Sequence, residues 1–288
     1  MLGNKRHLLL GISLYQDVNF NDFENLPKVF NPIKPKQITI IYSPGRFPYF
    51  KDSTPMFGGI PQKANFTAHV TTFIEQVNKL VPLDFKGYAV LDFEAYQPNY
   101  EIVPAIYKKA SEDWIRSQYP TWGNETIKFV AGISFNQATE VLFELLLQTG
   151  RDLRPGAKWG YYHYPYCRNF APDSKQCIEK QMVANNLMAW LFQSSGALYP
   201  SVYLSNQGFD SYANAERVKL RIKETKRINR FFQLPVLPYM RFKYVGYKDT
   251  YLQPLDLWST LGEMWYNRLE GAIIWGSKSD VEDQGIVC

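Results

Sequence analysis

The stretch Gly87-Tyr88-Ala89-Val90-Leu91-Asp92-Phe93-Glu94 decides how this chain is read. Its apolar run is nearly continuous, as in a strand covered on both faces, and it ends in two acids two positions apart. Side chains two apart on a strand point the same way, so Asp92 and Glu94 are predicted to project together from the strand's C-terminal end. In a β/α barrel that end carries the active site. Two adjacent carboxylates repel when both are charged, so one is expected to keep its proton near neutral pH and act as a general acid. Glycosidic cleavage needs such an acid. An Asp-x-Glu triplet also arises as a helix cap or a surface ion-pair partner, and periodicity alone does not separate the two readings.

Working outward, runs of the same kind recur. They are Ile38-Thr39-Ile40-Ile41-Tyr42, Trp159-Gly160-Tyr161-Tyr162, Pro200-Ser201-Val202-Tyr203-Leu204, Val236-Leu237-Pro238-Tyr239 and Ala272-Ile273-Ile274-Trp275. Between them the apolar positions take helical steps, as at Val141, Leu142, Leu145 and Leu146, and again at Val218, Ile222 and Ile228. Strands alternating with helices imply a parallel sheet. No Gly-rich phosphate loop follows any of these strands, which argues against an open dinucleotide-binding sheet and for a closed barrel. The predicted class is therefore α/β, a (β/α) TIM-like barrel forming one domain over residues 1–288. The segment from Pro44 to Lys63, rich in Pro and Gly, is expected to be the longest irregular loop, crossing one end of the barrel.

The composition suits that class. With 288 residues, 45% of them hydrophobic, the chain can bury a full core. Aromatic residues reach 16%, an excess that suits a cleft where rings stack on sugars or bases. A formal charge of +5 favours an anionic partner, yet Lys and Arg form no cluster, so nucleic acid is not expected. Three His without ligand spacing leave no metal site to expect, and nothing asks for a cofactor. No stretch has the length of a transmembrane helix. The run Leu8-Leu9-Leu10-Gly11-Ile12-Ser13-Leu14 follows basic residues but is short and is followed by Tyr15-Gln16-Asp17, so no signal peptide is assigned. Cys167 and Cys177 flank a turn-rich segment that can close as a disulfide loop, leaving Cys288 over. Asn65-Phe66-Thr67 and Asn124-Glu125-Thr126 are acceptor patterns for N-glycans, and with a disulfide they suggest the secretory pathway.

The chain resembles the animal hyaluronidase family, venom and mammalian enzymes included. The resemblance rests on Tyr42-Ser43-Pro44-Gly45 with Phe47-Pro48, Gly58-Gly59-Ile60-Pro61-Gln62, Val90-Leu91-Asp92-Phe93-Glu94 and Trp159-Gly160-Tyr161-Tyr162-His163-Tyr164-Pro165-Tyr166-Cys167. It continues through Leu198-Tyr199-Pro200-Ser201-Val202-Tyr203, Val236-Leu237-Pro238-Tyr239 and Ile273-Ile274-Trp275-Gly276-Ser277, in the family's order over nearly the whole chain. It implies a distorted β/α barrel acting as an endo-hydrolase of hyaluronan or chondroitin by a retaining, substrate-assisted mechanism. Glu94 would donate a proton to the glycosidic oxygen and then serve as base, while Asp92 shares that proton and steadies the substrate's acetamido group. That group's own oxygen is the nucleophile, so no second carboxylate is needed across the ring.

The same resemblance places Tyr162 and Tyr203 around the acetamido group, Trp275 on the subsite floor and Arg217 facing a uronic carboxylate. Tyr96 and Gln97 stand where the family usually has Trp-Arg, so Gln97 lacks the charge an arginine offers an anion, and substrate preference is expected to shift toward chondroitin. Cys167 and Cys177 match a family disulfide, and Cys288 a cysteine whose partner lies before His7. The first barrel strand is accordingly expected to be missing, and the chain is read as a fragment of a secreted or lysosomal enzyme that acts as a monomer. Two competing readings stay open: a glycan-binding relative without catalysis, and an allergen-like or sperm-surface interaction protein.

Overall fold

The computed structural model describes residues 13–16, 37–167, 177–207, 210–246 and 250–276, the first of these as backbone only. In chain order, strands β1 (Ser13–Gln16), β2 (Ile38–Tyr42), β3 (Tyr49–Lys51) and β4 (Thr54–Met56) precede helix α1 (Phe66–Leu80) and strand β5 (Tyr88–Asp92). Helices α2 (Ala105–Gln118) and α3 (Asn124–Leu153) lead to β6 (Lys158–Tyr161). Helices α4 (Glu179–Leu187), α5 (Ala189–Gln193) and α6 (Ser211–Asn229) follow, then β7 (Tyr239–Met240), α7 (Pro254–Tyr266) and β8 (Gly271–Ile274). The described residues fall into two compact units, one built from 40–161 and 180–196, the other from the rest.

In the first unit β5 lies between β2 and β6. It runs parallel to β6, with Tyr88 opposite Lys158 and Leu91 opposite Tyr161. Tyr88, Ala89, Val90 and Leu91 are all buried, which is why the run shows no polar alternation. The crossover between these strands includes α3, whose 30 residues extend ~45 Å. Its buried face carries Ile127, Ala131, Phe135, Leu142, Phe143 and Leu146. Near its end Gly150 lets the helix approach the Trp159 ring so closely that a Cβ there would lie 2.7 Å from it.

The segment expected to be irregular from Pro44 to Lys63 instead contains the antiparallel pair β3 and β4 and a 3-10 turn at Pro61–Lys63. The two strands are joined by Asp52 and Ser53 at φ of 48° and 67°, the left-handed pair of a tight hairpin turn that matches strand twist. Asp-Ser is a weak signal for such a turn beside Asn-Gly, so the hairpin was hidden.

In the second unit β8 lies between β1 and β7 and is parallel to both. Where the sequence reading expects a missing first strand, β1 pairs with β8 from Ser13 opposite Gly271 to Gln16 opposite Ile274. Val202, Leu204, Val218, Ile222, Met240, Met264 and Ala272 form this unit's core, under α6 and α7. Two predicted strands are weaker than expected. Residues 200–204 make only an isolated bridge, Ser201 to Tyr239, and the run 236–239 is reduced to a bridge at Val236 and the two-residue β7. Pro200, Pro235 and Pro238 have no N–H to donate, so the ladder survives only as separate bonds such as Val202 N–H to the Tyr239 carbonyl at 2.9 Å.

Candidate active site

Strand β5 ends at Asp92, and Glu94 lies two residues beyond it in irregular chain. The alternation of faces persists past the ladder: Phe93 is buried, Asp92 half-buried and Glu94 exposed. Phe93 is pinned inward, stacked on Phe47 with ring centroids 4.1 Å apart and edge-on to Phe143 at 5.9 Å. Anchoring that ring turns the acids on either side of it outward, and both line one cleft of about 180 Å³ together with Ser43, Pro44, Gly45 and Phe47. The loop wall is tied to the acid strand by the Ser43 N–H, which donates to the Asp92 carbonyl at 3.0 Å.

Partial burial raises the Glu94 pKa above the ordinary carboxylate value. The sequence argument looked to repulsion from Asp92; the cause acting on Glu94 is loss of water around it. A carboxyl that keeps its proton while reaching solvent is equipped to protonate a leaving group.

Tyr96 corrects an expectation. It is 2% exposed, edge-on to Phe93 at 4.9 Å and to Phe135 at 5.6 Å, and belongs to the core rather than to a substrate-facing surface. The chain turns inward after Glu94, and burying a ring of that size gains about 1.5–3 kcal/mol. Gln97, beside it, is half-buried.

The remaining predicted substrate-binding residues lie in the second unit. Tyr162 is buried and its ring centroid is 6.3 Å from that of Tyr203, which is in turn 6.3 Å from Trp275, so the three rings form one strip. The Arg241 guanidinium sits over Trp275 at 5.0 Å, a cation–π contact absent from the sequence reading. Arg217 is half-buried on α6, and desolvation lowers its pKa.

One turn further on is Arg221. It is half-buried, its pKa lowered to about 10 by desolvation and then by the Arg217 charge. Its Nε donates to the Cys167 carbonyl at 3.2 Å and its Nη1 to the Tyr203 carbonyl at 2.9 Å. Sequence reasoning missed Arg221 because α6 carries Lys or Arg at 217, 219, 221 and 223, and nothing in the spacing distinguishes the one that reaches the Tyr203 carbonyl. His163, next to Tyr162, is held at a φ of 85°, its pKa lowered to about 4 by burial and by Arg221.

Cys167 and Cys177 are disulfide-bonded, with Cα atoms 5.5 Å apart. Cys288 and the chain around His7 lie outside the described residues. Asn65 and Asn124 are both exposed; Asn65 also caps α1, its Oδ1 accepting from the Ala68 N–H at 2.9 Å. Among the described residues no helix is long and apolar enough to cross a membrane.

An α/β chain whose buried strand ends in a carboxylate pair lining one cleft, the outer acid's pKa raised by desolvation, has the makings of a glycoside hydrolase. Residues 13–287 match the family described as Hyaluronidase, and the chain belongs to that family. It is similar to the hyaluronidase of Apis mellifera, 36% identical over 263 residues, covering 85% of this chain and 68% of the relative. Hyaluronidase A of Vespula vulgaris is 36% identical over 283 residues, covering 93% and 84%. The crystal structure of bee venom hyaluronidase superposes with a TM-score of 0.86 at 32% identity, covering 94% of this chain and 92% of that one. The same holds for that enzyme in complex with a hyaluronic acid tetramer. The match bears out the expected fold class, a distorted β/α barrel.

Proposed function

We propose that this chain is an endo-acting hydrolase of hyaluronan that works by substrate assistance, with residues 1–288 serving as one catalytic domain and acting as a monomer. The observation that carries the reading is the pair Asp92 and Glu94 lining one cleft, with Glu94 shifted toward its protonated form. The hyaluronic acid tetramer bound to bee venom hyaluronidase supports the choice of polymer.

In the first step the Glu94 carboxyl gives its proton to the β-1,4 glycosidic oxygen. The acetamido oxygen of the sugar on the non-reducing side bonds to its own anomeric carbon as the C–O bond to the leaving chain breaks. Asp92 steadies the positive charge that develops on the acetamido nitrogen. In the second step Glu94, now a carboxylate, takes a proton from water as the water oxygen bonds to the anomeric carbon and the acetamido ring reopens. Two inversions leave the configuration retained, and Glu94 regains its proton.

Tyr162, Tyr203 and Trp275 are assigned to holding the N-acetylated sugar, and Arg217 to its uronic neighbour. Gln97 offers that neighbour no charge, which makes chondroitin a second substrate worth testing. The disulfide and the exposed Asn65 and Asn124 acceptors support secretory-pathway maturation, with export or lysosomal delivery as its end.

The test is release of reducing ends from hyaluronan and from chondroitin, with Glu94→Gln as control. Turnover that disappears in Glu94→Gln is the expected result. A folded wild-type protein that binds either polymer and releases no ends would overturn the hydrolase reading in favour of a glycan-binding protein.

A further inference from the structure

One wall of the acid cleft is a loop, Ser43 to Phe47, whose backbone is held largely by side chains of α1. Ser43 and Gly45 have φ of 48° and 62°, and the loop approaches α1 so closely that a Cβ on Gly45 would lie 2.7 Å from the His69 ring. Two consecutive amides turn toward that helix. The Gly45 N–H donates to Gln76 Oε1 at 2.7 Å, and the Arg46 N–H donates to His69 Nδ1 at 2.9 Å. Gln76 Nε2 donates back to the Ser43 carbonyl at 3.2 Å, and the Ser43 N–H reaches the Asp92 carbonyl. An unbroken chain of hydrogen bonds thus runs from α1 through the cleft wall to the residue that carries one of the two acids.

We propose that His69 and Gln76, seven residues apart on one face of α1, are positioning residues that hold the cleft wall against the carboxylate pair, and that the wall is released when His69 takes up a proton. The proposal rests on the reading of Asp92 and Glu94 as the acting pair. Its second half follows from atom roles. His69 is 0% exposed, and its Nε2 lies 3.2 Å from the Leu142 carbonyl of α3, which can only accept. The ring's one proton is therefore on Nε2, leaving Nδ1 as the acceptor for Arg46. A second proton would go on Nδ1, where it would face the Arg46 N–H and find no acceptor.

The groups packed on the ring are neutral. They are the Phe47 ring edge-on at 4.5 Å, the Gly45 backbone, the Arg46 amide and the Leu142 carbonyl. The Arg46 guanidinium lies over Phe57 instead, and no charged side chain enters among the causes that set the His69 pKa. Burial brings that pKa down to about 4. The wall is thus kept in place while His69 is neutral and gives way as pH falls through about 4.

The experiment measures kcat and KM on hyaluronan across acidic and neutral pH for the wild type, Gln76→Leu and His69→Asn, with melting temperatures to confirm folding. Gln76→Leu should lower kcat about 10- to 100-fold with KM little changed, the cost of a misplaced wall rather than a lost binding contact. Asn at 69 keeps a side-chain oxygen for the Arg46 amide and does not titrate, so the acid limb of the kcat profile should move to lower pH. In the unmutated protein, the hydrogen-exchange protection of the Gly45 and Arg46 amides should collapse near pH 4 while that of β5 persists. This readout needs no variant to fold.

Wild-type kcat in folded Gln76→Leu overturns the positioning role. An unmoved acid limb in folded His69→Asn, or protection of the two amides retained below that pH, overturns the release. A fully active Glu94→Gln would instead sink the reading of the carboxylate pair, so the two failures are told apart.

Discussion

At the scale of single residues, burial moves two pKa values in opposite directions on either side of the same cleft wall. Glu94 is pushed up and His69 down to about 4, because lost hydration disfavours whichever form is charged. The stability consequences follow from proton counts. Unfolded His69 binds its proton near 6.5, and the folded residue does so only near 4, so between those values the unfolded chain holds more protons. The contribution of His69 is full above about pH 6.5 and is lost as pH falls to about 4, a difference on the order of 3 kcal/mol. The melting temperature should therefore fall on acidification across that window, and less so in His69→Asn. Glu94 has the reverse sign, since a raised carboxyl costs stability once pH rises above its unfolded value. Glu94→Gln is expected to melt slightly higher than the wild type at neutral pH while losing turnover; a lower melting point would mean that Glu94 has a structural partner. Asp92 and Glu94 were legible because an apolar run stops at them. His69 was not, because one His on an apolar helix stripe beside Phe73 and Val77 looks like any core residue.

At the scale of elements, local preference and packing disagree most clearly at Gly150. Helix propensity alone would favour Gly150→Ala by about 1 kcal/mol. The new Cβ would lie 2.7 Å from two Trp159 ring atoms, and a fully buried indole has nowhere to go. The clash should win, and Gly150→Ala should lower the melting temperature; a rise would show that α3 can slide along the sheet. The long helices were legible because their buried positions repeat. The strand runs 200–204 and 236–239, which include or follow Pro200, Pro235 and Pro238, were overread, since composition does not show which carbonyls lose their N–H partners. The β3–β4 hairpin was underread because its turn carries Asp52 and Ser53 without a glycine.

At the scale of the whole molecule, 32 basic against 27 acidic residues give a formal charge of +5 and a mild attraction for a polyanion. Screening shortens that attraction to roughly 8 Å at physiological salt, so kcat/KM on hyaluronan should fall with ionic strength through association, with kcat unchanged. A kcat that fell in step with kcat/KM would place the salt effect on the chemistry instead.

Sequence by itself determined the α/β class, the family and the place of Asp92 and Glu94 at the end of a buried strand, because those are carried by runs and ordered motifs that survive without coordinates. Only the tertiary structure decided that Tyr96 packs inward, that Arg221 rather than a neighbouring cation reaches the Tyr203 carbonyl, and that α1 holds the cleft wall. Such contacts join residues far apart in the chain, and what separates a hydrogen-bonded cation or a buried imidazole from an exposed one is the surroundings that folding supplies.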